Sequence, residues 1–228
     1  MQPFHWRVGH TVTISYQSGK QKIEVLKNID AAFENGIFYA ITGRSGSGKS
    51  TFLHILSGLE KPDTGSIVMN GKKLENYKSQ EIAEFRRRHM GFVFQQFNLL
   101  EEYDVKTNIC MPLKLDHKKE DSVFLKEITE HLGIEKILKK YPDELSGGEQ
   151  QRVAIARSLI AKPEILFADE PTGNLDKKTA DETLELLLEC AYRYGQTLIL
   201  VTHDMEIAER ADYVLKIEGG RVCETRFQ

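Results

Sequence analysis

Apolar residues along the chain fall into two kinds of pattern. Residues 37–42 (IFYAIT), 164–169 (EILFAD) and 197–202 (TLILVT) are short, nearly continuous apolar runs, and each predicts a strand buried on both faces. After the first run, residues 50–59 set Leu53, Ile55, Leu56 and Leu59 at helical spacing, with Gly58 near the end. Between the other two, residues 178–194 place Leu184, Leu187, Leu188 and Ala191 on one face of an amphipathic helix that Gly195 stops. Buried strands separated by helices predict an α/β fold built on a mainly parallel sheet covered on both sides.

The remaining patterns differ. Residues 11–14, 23–26, 66–69 and 213–217 are short strand-like pieces near the turn signals Asn35-Gly36, Asn70-Gly71 and Gly219-Gly220. They predict an antiparallel β portion beside the parallel sheet. The middle of the chain reads as helical: Leu125, Ile128 and Leu132 share one face, and Gly133 is placed to cap it. The expected organisation is one domain, 1–228, with a core from 1–95 and 161–228 and an inserted α-helical subdomain at 96–160.

Composition narrows the partners. The 228 residues carry 40% hydrophobic and 29% charged residues, an ordinary globular balance. A net charge of -3 and a pI of about 6.2 give no electrostatic footprint for a nucleic acid, so none is expected as partner. The three cysteines, Cys110, Cys190 and Cys223, are widely spaced, which suggests a reducing compartment and no zinc site. The first ten residues lack the apolar core of a signal peptide, and no apolar stretch approaches the ~20 residues of a bilayer span. Docking on a membrane stays open.

The chemistry begins where the first buried run ends. Gly43-Arg44-Ser45-Gly46-Ser47-Gly48-Lys49-Ser50 fits Gly-x4-Gly-Lys-Ser/Thr. Glycines let the backbone wrap so that several N–H groups face phosphate oxygens. Lys49 adds a point charge at the outer phosphates, the Ser50 hydroxyl can ligate Mg²⁺, and the helix that follows presents its positive end to the anion. The strand 164–169 ends in two carboxylates, Asp169 and Glu170. Asp169 is placed to hold the Mg²⁺ shell, and Glu170 to polarise an attacking water as general base. A third feature is Leu145-Ser-Gly-Gly-Glu-Gln-Gln-Arg152 before a helix. Ser146 can cap that helix, and Gly147 and Gly148 leave its positive end open, which makes a second anion site.

Together these residues resemble the ATP-binding-cassette nucleotide-binding subunits over about 11–221, LSGGEQQR looking like the family's signature motif. The resemblance implies ATP and Mg²⁺ as ligands and hydrolysis of ATP. It implies further that Tyr16 is the aromatic on which adenine stacks and that Thr51 extends the phosphate loop. Gln95 would be the glutamine that touches Mg²⁺ and signals to the membrane partner. Asp176, in Gly173-Asn-Leu-Asp176, would lie in the loop that crosses a dimer interface, and His203 would contact the γ-phosphate. Lys49, Gln95, Glu170 and His203 would carry catalysis, with Ser50, Gln95 and Asp169 around the metal.

One phosphate loop and one signature per chain imply a head-to-tail homodimer around two ATP–Mg²⁺. Ser146, Gly147, Gly148 and Glu149 would reach the partner's nucleotide. Residues 91–100 and 171–176 look most like the subgroup of macrolide-exporter, lipoprotein-release, cell-division and antimicrobial-peptide-resistance ATPases. That implies a separate integral-membrane permease and a peripheral place on the cytoplasmic face of the membrane. Arg44 departs from the small residue or proline common there, and residues 1–10 match nothing in the pattern. Two rivals stand beside this reading. A cassette ATPase acting as a nucleotide-gated switch without a transport partner would carry long coiled-coil or zinc insertions. A GTP switch would need Asn-Lys-x-Asp, which the chain lacks.

Overall fold

The computed structural model describes residues 6–18, 21–69 and 71–226. They form two compact units, one from the described residues of Met1–Ala83 and Thr197–Gln228, the other from Glu84–Gln196.

In the first unit two long strands, β1 (Trp6–Ser18) and β2 (Gln21–Phe33), pair antiparallel. Further along come β3 (Phe38–Gly43), α1 (Lys49–Leu56), β4 (Thr64–Met69) and β5 (Lys72–Lys73). β1 also pairs antiparallel with β4, giving a sheet in the order β2-β1-β4-β5. Both long strands exceed the short pieces that the alternation predicts, and the register explains why. Val12 faces Ile29 and Ile14 faces Leu26, so two steps of β1 match three of β2. The extra residue falls near Asn28, whose φ is 51°, and this bulge breaks the period of two. The buried residues Leu26, Ile29 and Phe33 therefore never alternate regularly.

The rest of the chain supplies the second unit and then completes the first. Its elements are α2 (Ser79–His89), β6 (Met90–Phe94), α3 (Val105–Leu115), α4 (Ser122–His131), α5 (Gly147–Leu159), β7 (Ile165–Asp169), α6 (Lys177–Arg193), β8 (Thr197–Val201), α7 (Met205–Ala208), β9 (Tyr213–Glu218) and β10 (Arg221–Arg226). In the first unit β3 lies between β8 and β9, parallel to both, and β9 turns back antiparallel into β10. Ala40, Ala208, Ala211 and Val214 are small enough for α7 to settle on β3, with Phe38 beside them. In the second unit β6 and β7 pair in parallel, and α5 packs on β6, α3 and α6.

Local chemistry accounts for the helix ends. Asp104, Asp121 and Asp176 cap α3, α4 and α6, each accepting backbone N–H bonds at the first turn. α6 stops at Gly195: Gly195 N–H donates to Tyr192 and Gln196 N–H to Ala191, the paired bonds of a glycine-closed helix. Residues 164–169 and 197–202 read as buried strands, and β7 and β8 are buried along nearly their whole length.

Candidate functional site

The first unit carries the phosphate loop between β3 and α1. Two of its glycines are required by close approach. A Cβ on Gly43 would stand 2.5 Å from the Ile217 carbonyl oxygen, and one on Gly48 2.9 Å from Val25 and Leu26 side-chain carbons. Gly48 has φ 99° and sits at the N-cap of α1. The loop is thus pressed against β2 and β9 on one side, while at Gly46 a Cβ would meet nothing within 4 Å. Arg44 and Ser45 are exposed, and Ser50 and Thr51 are half-buried in the first turn of α1. Lys49 is buried and donates from Nζ to the carbonyls of Gly43 at 3.2 Å and Arg44 at 3.3 Å. Ser47 Oγ is buried without a protein partner, a donor at hand for an oxyanion.

Tyr16, on β1, is 39% exposed and donates its hydroxyl to Glu60 Oε2 at 2.6 Å. Thr51 also lies within hydrogen-bonding reach of the phenol, so Tyr16 stands beside the end of the phosphate loop. Desolvation, then the Glu60 carboxylate, push the phenol pKa above its ordinary value, which keeps the hydroxyl protonated and donating. His203 follows β8 and is exposed. Because β8 runs parallel to β3, and Thr202 N–H donates to the Ile41 carbonyl at 3.1 Å, His203 leaves the sheet at the same edge as the loop.

The second unit repeats this placement. Phe94 pairs with Asp169 at the carboxyl ends of β6 and β7, so Gln95 and Glu170 both emerge at one edge. Glu170 has φ 43°, a left-handed conformation that costs a non-glycine residue about 1 kcal/mol or more. It turns the chain out of β7, and Gly173 N–H closes the turn on the Glu170 carbonyl at 3.0 Å.

Ser146 is the N-cap of α5. Its hydroxyl accepts from Glu149 N–H at 3.3 Å, and Glu149 Oε2 accepts from both the hydroxyl and the backbone N–H of Ser146 at 2.8 Å. The Ser146 N–H, then its hydroxyl, hold the Glu149 carboxyl below the usual range. A Cβ on Gly148 would lie 2.5 Å from Thr179 Cγ2, so only glycine lets the start of α5 meet the start of α6. Asp176, the cap of α6, accepts from Thr179 N–H, and the Thr179 hydroxyl, then that N–H, hold its carboxyl low.

Three contributors escaped the reading of motifs. Asn174 exchanges hydrogen bonds with Gln95. Arg157, near the end of α5, donates to the carbonyls of Phe97 and Asn98, the stretch after Gln95, and burial lowers its pKa to about 10. Glu60 orients Tyr16. Of the three, Asn174 alone lies in a stretch that the sequence singles out, residues 171–176.

The sequence profile of the ABC transporter family matches residues 26–173. The bacitracin export ATP-binding protein BceA of Halalkalibacterium halodurans is 44% identical over 211 residues, which cover 91% of this chain and 83% of that protein. The lipoprotein-releasing system ATP-binding protein LolD of Idiomarina loihiensis is 40% identical over 208 residues, covering 90% and 91%. A dimeric structure of a post-hydrolysis state of the ATP-binding cassette MJ0796, bound to ADP and Pi, matches with a TM-score of 0.87 at 34% identity, covering 99% of each chain. Fold and loop define a P-loop nucleoside triphosphatase with a mixed α/β core. The chain belongs to the ABC transporter family. It is an ATP-binding and ATP-hydrolysing transporter subunit whose partners are a membrane permease and a second cassette, and the reading without a transport partner is not favoured. No helix among the described residues is long and apolar enough to cross a membrane.

Proposed function

We propose that this cassette drives its permease from the cytoplasmic face of the membrane by closing, with a second copy, around two ATP molecules. The observation that carries the reading is the phosphate loop at the carboxyl end of β3, with Lys49 at its centre and His203 leaving the same edge. Lys49 and the loop N–H groups hold the phosphates, and Tyr16 offers its exposed ring to adenine. Glu170 accepts the proton of the attacking water, Gln95 orients that water, and His203 contacts the γ-phosphate. Ser146, Gly147, Gly148 and Glu149 of the other copy meet the γ-phosphate at the positive end of α5, and Asp176 lies in the loop between the copies. On this reading residues 96–160, with α3, α4 and α5, are the subdomain that answers to the permease.

Mg²⁺ fits the donor set. Ser50 offers a hydroxyl, Gln95 a carboxamide oxygen and Asp169 a carboxylate, all hard oxygen ligands. When bound, the ion neutralises charge on the β- and γ-phosphates. The relatives named for bacitracin export and lipoprotein release support a cargo of peptides or lipoproteins for the permease.

Two variants test the reading. Glu170→Gln should retain ATP binding, lose turnover by about a thousandfold and accumulate as an ATP-bound dimer on size-exclusion chromatography. An unchanged rate removes Glu170 from catalysis. Lys49→Ala should weaken ATP binding itself, and normal affinity in that variant would sink the loop assignment.

A further inference from the structure

Gln95 is gripped at two points by one residue. Its Nε2 donates to Asn174 Oδ1 at 3.1 Å, and Asn174 Nδ2 donates to the Gln95 backbone carbonyl at 2.9 Å. A single carboxamide thus fixes both the main chain and the side chain of Gln95. Gly173 completes the seat. A Cβ there would stand 2.8 Å from Gln95 Nε2 and 3.1 Å from Cδ, so the Gln95 amide lies directly against the turn.

That turn is internally bonded. Gly173 N–H donates to the Glu170 carbonyl and Leu175 N–H to the Thr172 carbonyl, both at 3.0 Å, and Asp176 begins α6 as its cap. One hydrogen bond ties Gly173 to the Glu170 carbonyl, and the next residue along the chain, Asn174, bonds to Gln95, all within one unit. We infer that Asn174 is a positioning residue: it sets the Gln95 carboxamide relative to Glu170, so that displacement of the 171–176 turn is passed directly to Gln95. The inference rests on the role proposed above for Gln95 in hydrolysis. It adds a residue that the motifs leave without a role and a route by which a contact on the turn alters the site.

The test is a set of double-mutant cycles on the full chain with ATP and Mg²⁺, reading kcat and KM separately. Asn174→Ala should lower kcat about tenfold while KM for ATP stays within about twofold, as for a misplaced orienting group. Gly173→Ala should do the same by a different route. Its backbone is not in the left-handed region, and its methyl is accommodated by pushing the end of the Gln95 side chain aside. Asn174→Asp keeps the acceptor for Gln95 Nε2 and loses the donor, so its kcat should fall between wild type and Asn174→Ala. In a Gln95→Ala background neither Asn174→Ala nor Gly173→Ala should cost anything further.

Wild-type kcat in Asn174→Ala and Gly173→Ala, with Gln95→Ala impaired, overturns the inference and leaves the role of Gln95 standing. Losses that multiply with Gln95→Ala overturn it as well, because Asn174 would then act on its own. Unchanged kcat in Gln95→Ala removes the role of Gln95, and the inference with it. Should Asn174→Ala fail to fold, as its melting temperature reveals, Gly173→Ala and Asn174→Asp decide the outcome by the same criteria.

Discussion

Ser146 holds two kinds of free energy in one hydroxyl. As the N-cap of α5 it satisfies the Glu149 N–H and bonds back to the Glu149 carboxylate. Ser146→Ala should therefore cost about 1 kcal/mol of stability, as loss of a serine cap does. In a chain of 228 residues that lowers the melting temperature by about 2–4 °C. Threonine keeps the oxygen, so Ser146→Thr should return most of the lost temperature. If the same hydroxyl also meets a phosphate of the other copy, the alanine variant loses ATP-dependent dimerisation out of proportion to its small thermal shift. Calorimetry and size-exclusion chromatography on the two variants separate the effects.

At the scale of elements, the ion cluster at Asp116 ties α2 to the end of α3. Asp116 is the C-cap residue of α3, where the helix dipole opposes a negative charge. Arg88 offsets this with Nε 3.0 Å from Oδ1 and 2.9 Å from Oδ2, and Lys118 and Arg87 join it. These cations, Arg88 first, hold the carboxyl far below its ordinary range. A carboxyl depressed on folding contributes stability above its unfolded pKa, near 3.9, and that contribution is lost as the pH falls below it. Asp116→Asn should thus lower the denaturant midpoint at pH 7, and the gap from wild type should shrink between pH 5 and pH 3. A gap independent of pH would mean that shape, not charge, holds the two helices.

The same cluster marks a limit of sequence reading. Nothing in the spacing of Arg86, Arg87, Arg88 and His89 points to an acid 28 positions downstream of Arg88. Elements with an uninterrupted period were legible: the buried runs of β3, β7 and β8, and the apolar stripe of α6 between Asp176 and Gly195. The long β1–β2 pair was not, since a bulge near Asn28 resets its alternation. Within the site, the loop at 43–50 and the cap at Ser146 were legible because backbone chemistry imposes those residue types locally. The bond from Gln95 to Asn174 spans 79 positions and belongs to tertiary structure, which a motif does not encode.

For the whole molecule, the central question is whether one chain can complete its own site. The phosphate loop and His203 belong to one compact unit, the Ser146 cap to the other, and each chain has one of each. If the signature serves the nucleotide of a second copy, loop and signature can be inactivated in different chains and still meet as one intact pair. In a Glu170→Gln background, Lys49→Ala alone should bind no ATP and form no dimer. Ser146→Arg alone should bind ATP and form no dimer, because the cation lengthens the side chain where a phosphate must approach. Mixed in equal amounts, the two should form a heterodimer holding about one ATP per two chains, one site of the two being whole. A signature acting on its own chain's nucleotide leaves every site defective, and the mixture stays monomeric. The stoichiometry of bound nucleotide in the dimer peak therefore decides between a site closed within one chain and a site shared by two.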